Sequence, residues 1–271
     1  PPRSTLFPYT TLFRSAGSFC WAELGTTDYQ AAAGFYAALL TWTHHDVSES
    51  AMHYAIFQLG GVDAAGLYQL MPDQLQAGVP PHWLIYVAVE DADATAAKAV
   101  ELGAAVLAGP ANAMDAGRFA ILRDPQGAVF GIWQSMRHVG NKVTSLNYRH
   151  CWSELGTTDS AAALEFYTKL FGWTVHKQEM GPGFTYHTWV NQGAPGGGMY
   201  QLTKEMAGVP PHWLAYFSVP DCDAAAATAA ANGGTVRVPP TDIPQVGRFS
   251  VLADPQGAIF SVIHLTMPPT A

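Results

Sequence analysis

Charge is scarce in this chain, and basic charge scarcer still. Only 13% of the 271 residues are charged, with 13 Lys and Arg against 21 Asp and Glu, for a formal net charge of −8 at pH 7. The basic residues are scattered, with none of the clustering that binding a phosphate backbone requires. Nucleic acid is therefore not an expected partner. No run approaches the roughly 18 consecutive apolar residues of a membrane span, so no membrane partner is expected either. Cysteine is nearly absent. Cys20, Cys151 and Cys222 are odd in number and form no CxxC, which argues against a disulfide framework and a cysteine metal site, and favours a reducing, cytoplasmic location. Gly196-Gly197-Gly198 is followed by no Lys-Ser/Thr and no helix start, so no phosphate loop is expected.

Apolar side chains are plentiful. They make up 49% of the chain, and 8 Trp, 11 Tyr and 13 Phe exceed what two small cores need, so some are expected to line cavities. The length suits two domains of ordinary size.

The chain repeats itself. Cys20-Trp-Ala-Glu-Leu-Gly-Thr-Thr-Asp28 recurs as Cys151-Trp-Ser-Glu-Leu-Gly-Thr-Thr-Asp159, and Gly78-Val-Pro-Pro-His-Trp-Leu84 recurs unchanged at 208–214. Gly117-Arg-Phe through Asp124-Pro-Gln-Gly127 to Phe130 recurs at 247–260. This is the mark of a duplicated domain, not of a solenoid. The expected boundaries are 16–134 and 148–265, joined by a linker over 135–147. A segment over 1–15 has no repeat counterpart and reads as a non-native or disordered leader, and 266–271 as a tail.

Each half reads the same way. A strand over 18–24 leads to Asp28, an N-cap, and then to Ala32, Phe35, Tyr36 and Leu39 at helical spacing. The second copy gives Asp159 followed by Ala163, Phe166, Tyr167 and Leu170. Strands are expected near 52–59 and 63–70, with counterparts near 184–190 and 197–202, and His44-His45 reads as a surface turn. A second strand runs from His82 to Val89, and Asp91 or Asp93 caps an Ala-rich helix ending at Gly103. Strands near 105–108, 117–123 and 128–134 follow, the last two joined by the Asp124-Pro-Gln-Gly127 turn. The order is βαβββ twice per half, an α+β class.

That order, with its strand-Thr-Thr-Asp-helix, Pro-Pro-His-Trp-strand and Asp-Pro-Gln-Gly-strand motifs, resembles the vicinal oxygen chelate superfamily of glyoxalases, bleomycin-resistance proteins and extradiol dioxygenases. Within it the chain is similar to two-domain glyoxalase-like proteins of the actinobacterial "hydroxylase" type. The resemblance covers 17–134 and 148–264. It implies tandem domains, each of two βαβββ modules curled into an open cup around a cavity. It also implies a divalent ion held by inner-face strand residues. Carried over by counting from the helix caps, those positions fall at Trp21 and Trp152, at Leu84 and Leu214, at Gly131 and Ser261, and within two residues of Leu67 and Met199. None is a metal ligand, so the expectation is no metal and no cofactor.

Parity along the strands supplies an alternative chemistry. If Trp21 faces the cup, so does Glu23; by the same count His82, Leu84 and Tyr86 face inward. Glu154, His212 and Tyr216 repeat the pattern. The candidate catalytic residues are Glu23, His82, Glu154 and His212, with His82 expected across the cup as the partner of Glu23. The candidate substrate-binding residues are Trp21, Tyr68, Tyr86 and Trp133 in the first half and Trp152, Tyr200 and Tyr216 in the second. Competing readings have His82 bonding only a loop carbonyl, Glu23 pairing with Arg118, and Asp124 and Asp254 serving as turn formers. Three functions remain open: a metal-independent lyase, isomerase or hydrolase acting on an aromatic or carbonyl compound, a non-catalytic drug-sequestering protein, or a ligand-free structural protein. The expected partner is a small molecule, and the chain is expected to form an internal pseudo-dimer or a homodimer.

Overall fold

The computed structural model describes residues 14–48, 53–181 and 183–266. Of the expected leader, 1–13 lies outside the described residues, as does 267–271 of the tail. Arg14 and Ser15 do engage the fold: Arg14 Nη2 donates to the Asn141 carbonyl, and the Ser15 carbonyl accepts from Ser18 N at 3.0 Å.

The two halves fold as two domains of one plan. The first contains β1 (Phe19–Thr26), α1 (Tyr29–Leu40), β2 (Thr43–Asp46), β3 (Tyr54–Leu59), β4 (Val62–Gln69), the short α2 (Pro72–Gln76), β5 (His82–Ala88), α3 (Ala92–Glu101), β6 (Ala105–Ala113), β7 (Gly117–Arg123) and β8 (Val129–Ser135). The second contains β9 (His150–Thr157), α4 (Ser160–Phe171), β10 (Thr174–Gly181), β11 (Phe184–Asn191), β12 (Ala194–Gln201), β13 (His212–Ser218), α5 (Cys222–Ala231), β14 (Thr235–Ile243), β15 (Gly247–Ala253) and β16 (Ile259–Leu265). Each forms an eight-stranded sheet, ordered β2-β3-β4-β1-β5-β8-β7-β6 and β10-β11-β12-β9-β13-β16-β15-β14. β1 lies antiparallel to β5 at the centre, and each of these is flanked by its own module's last strand in parallel.

His44-His45 is not a turn. Both lie in β2, an exposed edge strand paired with β3 through His44↔Phe57 and His45↔Ile56. β2 has no buried face, so no alternation marks it in the sequence. β6 and β14 run five or more residues beyond the expected 105–108 and its counterpart, carried past Pro110 and Pro240 by register shifts.

Local sequence explains the helices. The carboxylates of Asp28, Asp159, Asp91 and Asp221 accept from the third residue on, at 3.0, 3.0, 2.9 and 2.9 Å, satisfying amides the first turn leaves free. Asp91, not Asp93, caps α3. α4 closes at Gly172 with φ 73°, while the equivalent residue after α1 is Thr41 with φ 56°. A β-branched residue pays sterically in that left-handed region. Thr41→Gly is therefore expected to raise stability by about 1 kcal/mol, visible as a Tm gain of about 2–4 °C.

The sheets turn their helix-bearing faces toward one another. One continuous core takes Tyr36, Trp42, Trp83 and Phe130 from the first domain and Tyr167, Trp189, Trp213, Phe217 and Phe260 from the second. Two smaller clusters lie on the opposite sheet faces, one around Trp21, Leu84 and Tyr86, the other around Leu214, Tyr216 and Ile263. The concave faces are therefore outermost. No helix among the described residues is long and apolar enough to cross a membrane.

Candidate functional site

Strand register fixes what each cup displays. Trp21 pairs with Tyr86, Glu23 with Leu84 and Gly25 with His82, and on the other flank Glu23 pairs with Gly66. Trp21, Glu23, His82, Leu84 and Tyr86 thus share the concave face. Tyr68 belongs there too, because its hydroxyl lies over Gly25 beside the His82 ring. Gln69 turns the other way and accepts from Tyr29 N at 3.0 Å at the start of α1. Trp133, on β8, edges against Tyr86 with ring centres 6.4 Å apart.

The partners of Glu23 are tyrosines. Tyr54 Oη donates to Glu23 Oε2 at 2.8 Å and Tyr86 Oη donates to Oε1 at 3.2 Å. The second cup repeats this: Tyr186 donates to Glu154 Oε1 at 2.8 Å and Tyr216 to Oε2 at 2.7 Å. Trp152 Nε1 in turn donates to Tyr186 Oη at 2.9 Å. Burial pushes the carboxyl of Glu23 and of Glu154 above the usual carboxylate range, and the phenol bonds pull each part of the way back. The same burial, with a carboxylate beside each ring, raises Tyr54, Tyr86 and Tyr216 well above their ordinary range, so all three remain protonated donors at neutral pH.

The histidines are placed differently from expectation. β5 adjoins β1 instead of facing it across the cup, and His82 pairs with Gly25, one step past the carboxylate. Its Nδ1 bonds the Pro80 carbonyl at 2.8 Å, and its Nε2 lies 3.4 Å from Tyr68 Oη. His212 bonds Pro210 in the same way at 2.8 Å. Burial lowers the His82 pKa, partly offset by the Pro80 carbonyl. His82 is not the partner of Glu23, and neither is Arg118, which forms a bidentate pair with Asp93 at 2.5 and 2.7 Å.

The positions at which the resemblance would place a metal do not fit one. On the fourth strand the inward residues are Gly66 and Tyr68, because Leu67 packs in the helix-side core. The inward set is then Trp21, Gly66, Leu84 and Gly131 in one cup and Trp152, Gly198, Leu214 and Ser261 in the other. The only oxygen among these side chains is the Ser261 hydroxyl, which donates to the Ser250 carbonyl at 2.9 Å, and one neutral hydroxyl is too few to hold an ion. A Cβ at Gly131 would run into the Tyr86 ring, and one at Gly66 or Gly198 into the hydroxyl of Tyr54 or Tyr186. Tyrosine thus fills the space where carboxylate ligands would stand. Among the described residues no three or more His, Cys, Asp and Glu side chains gather as a metal site. Gly131→Ala and Gly198→Ala should each lower stability by about 1–3 kcal/mol in denaturant titration, as overpacked sites do.

Tyr54 and Tyr186 were not among the sequence candidates, although a signal existed. They are 132 residues apart, the same offset as Tyr68 and Tyr200, and Tyr54 pairs with Tyr68 as Tyr186 does with Tyr200.

Known proteins place this architecture. Residues 148–262 match the family described as the Glyoxalase/Bleomycin resistance protein/Dioxygenase superfamily, and residues 21–133 match a Glyoxalase-like domain. CFP32 of Mycobacterium tuberculosis, named as a glyoxylase, is 42% identical over 245 residues, covering 90% of this chain and 93% of its own. The anthracycline biosynthesis protein DauV of Streptomyces sp. strain C5 is 36% identical over 261 residues, covering 92% and 94%. The Mn(II)-bound glyoxalase of Novosphingobium aromaticivorans superposes with a TM-score of 0.63 at 16% identity, over 92% of this chain and 82% of that one. The 2,3-dioxygenase LapB of Pseudomonas sp. KL28 gives 0.63 at 11%, over 94% and 96%. At such identities these two structures show a shared fold alone. With both halves matched and relatives aligned over nearly its whole length, the chain belongs to the glyoxalase/bleomycin-resistance/dioxygenase superfamily as a two-domain glyoxalase-like protein.

Proposed function

We propose that each cup is a metal-independent proton-transfer site for a planar aromatic or carbonyl compound, with Glu23 and Glu154 as acid–base groups. The observation carrying this reading is the glutamate held by two phenols, present in both cups beside the positions where metal ligands would otherwise stand. The names of the relatives, a glyoxylase and an anthracycline biosynthesis protein, fit such a substrate class.

The chemistry is that of an isomerase. A substrate carbonyl lies against the phenols, with its rings on Trp21, Tyr68 and Trp133. The carboxylate takes a proton from the carbon beside the carbonyl. The C–H electron pair becomes the enolate C=C bond, and the carbonyl π pair moves onto oxygen. As the glutamate becomes neutral it no longer holds its two donors. The Tyr54 and Tyr86 hydroxyls then serve the new oxyanion, so the donors follow the charge. Return of the proton to a different carbon completes isomerisation, and return to the same carbon gives exchange. No electrons leave the substrate. Burial suits the glutamate to this task, because a carboxylate whose pKa is raised above its ordinary range is a better base than one in water.

A second reading, sequestration without turnover, is favoured by one feature: both oxygens of each glutamate are already engaged. The two readings separate in D₂O. Catalysis predicts deuterium incorporation beside the carbonyl of members of an aromatic hydroxyketone panel, undiminished by EDTA. Sequestration predicts ligand-induced thermal stabilisation with no exchange.

A further inference from the structure

Among the described residues the two cups end differently. In the first domain the linker closes the Trp21 end: the His138 ring stands edge-on to Trp21 with centres 4.6 Å apart, Trp133 Nε1 donates to the His138 carbonyl at 2.8 Å, and Asn141 N donates to the Cys20 carbonyl at 2.7 Å. Further along, Lys142 N donates to the Asp63 carbonyl at 3.1 Å. In the second domain the corresponding residues Cys151, Trp152 and Pro195 border a cavity of about 380 Å³ between the domains. Phe19 and Trp173 supply further aromatic wall, and Arg14 and Arg149 line it.

The cavity has a charge preference. It is lined by two arginines and by no Asp or Glu, in a chain of net charge −8. Arg149 forms no ion pair among the described residues, and its Nε is buried without a hydrogen-bond partner. A buried guanidinium donor left unpaired is costly. The neighbouring His150 adds no positive charge at neutral pH, because burial lowers its pKa to about 4 and its Nε2 lies 3.1 Å from Ser153 Oγ. Aromatic walls beside a planar guanidinium unpaired among the described residues match a flat aromatic ring bearing a carboxylate.

We infer that this interdomain cavity is a second ligand site, taking an aromatic carboxylate against Trp152 and Trp173 with its carboxylate on Arg149. Among the described residues the site exists once, because the linker fills the matching end of the first cup. It is separate from the glutamate–tyrosine chemistry, although Trp152 borders both.

The test uses the full chain with 2-naphthoate and its uncharged isostere 2-naphthamide, by isothermal titration and tryptophan fluorescence. One equivalent of naphthoate should bind per chain, with naphthamide at least about tenfold weaker, the loss of one charge-assisted contact. Arg149→Met should reduce naphthoate affinity about tenfold or more, with Arg149→Lys retaining part of it and neither variant melting below the parent, since Arg149→Met removes an unsatisfied buried donor. Glu23→Gln/Glu154→Gln should leave naphthoate affinity unchanged, so failure of the cup chemistry and failure of this site are read separately. Equal binding of acid and amide, unchanged affinity in folded Arg149→Met, or no saturable naphthoate binding up to about 1 mM would each overturn the inference.

Discussion

Glu23→Gln combined with Glu154→Gln is expected to cut α-proton exchange by about 10²- to 10⁴-fold, the usual worth of a positioned acid–base group. The substitution keeps the shape and removes the titrating group, but the glutamine NH2 cannot accept, so in each cup one of the two phenols loses its acceptor. Stability should move the other way. The folded carboxyls titrate above the ordinary 4.5 because they are buried. Their contribution to stability is thus fully present below pH 4.5 and is lost as pH rises through the raised folded value. The Gln variant has no such loss, so its Tm relative to the parent should climb across that window and be highest near neutrality. Exchange by the parent should rise with pH over the same window, as the carboxylate form accumulates. Tyr54→Phe with Tyr186→Phe removes a bond that pulls each glutamate pKa down, so the rising limb should shift to higher pH. Deuterium incorporation followed by NMR, with melting curves at several pH values, reads all three effects. Full exchange in the double Gln variant would remove the glutamates from the chemistry.

Much of this architecture is legible in the sequence because duplication writes it twice. A capping Asp followed by apolar residues at 3.6 spacing marks α1 and α4, and the Asp124-Pro-Gln-Gly127 turn marks the last hairpin of the first domain. Parity places Trp21 and Glu23 on one face because a buried strand cannot slip by one residue without inverting every side chain. β2 escapes this reading because all four of its residues are exposed and so carry no alternation.

The site is legible only as a face. Parity tells which side of a sheet a residue occupies, but not which strand lies beside it or how far along. His82 shares the concave face with Glu23, yet register sets it beside Gly25. Tyr54 reaches the carboxylate from β3, two strands away, because the strand between presents Gly66, which leaves room for its ring. Such a lateral approach depends on sheet order and on a missing Cβ in an intervening strand. Neither is a property of the segment that carries the tyrosine.

The interface between the domains yields the largest expected stability effect. Asp124 and Asp254 do form the expected turns, each Oδ1 accepting three backbone amides at 2.8–3.0 Å. Each Oδ2, however, crosses to the other domain, where Tyr167 Oη donates to Asp124 at 2.9 Å and Tyr36 Oη to Asp254 at 3.1 Å. The same hydroxyls accept from Trp213 Nε1 and Trp83 Nε1, both at 2.9 Å. Each hydroxyl therefore satisfies a buried indole N–H and a buried carboxylate oxygen at once. Tyr36→Phe or Tyr167→Phe orphans both, at about 1–3 kcal/mol for each unsatisfied group. Each single variant should lose several kcal/mol, a Tm drop of roughly 5 °C or more for a chain of this size. The two hydroxyls share no partner, so the double variant should lose close to the sum. The Tyr36→Phe loss should also depend on pH. Burial raises the Asp254 carboxyl, while the turn amides and Tyr36 pull it down. Removing Tyr36 raises it further, so the ionised form costs more in the folded state, and the Tm loss should be larger at pH 7 than at pH 4. A shift below about 1 °C at pH 7 in the double variant would show that the paired hydroxyls do not hold the domains together.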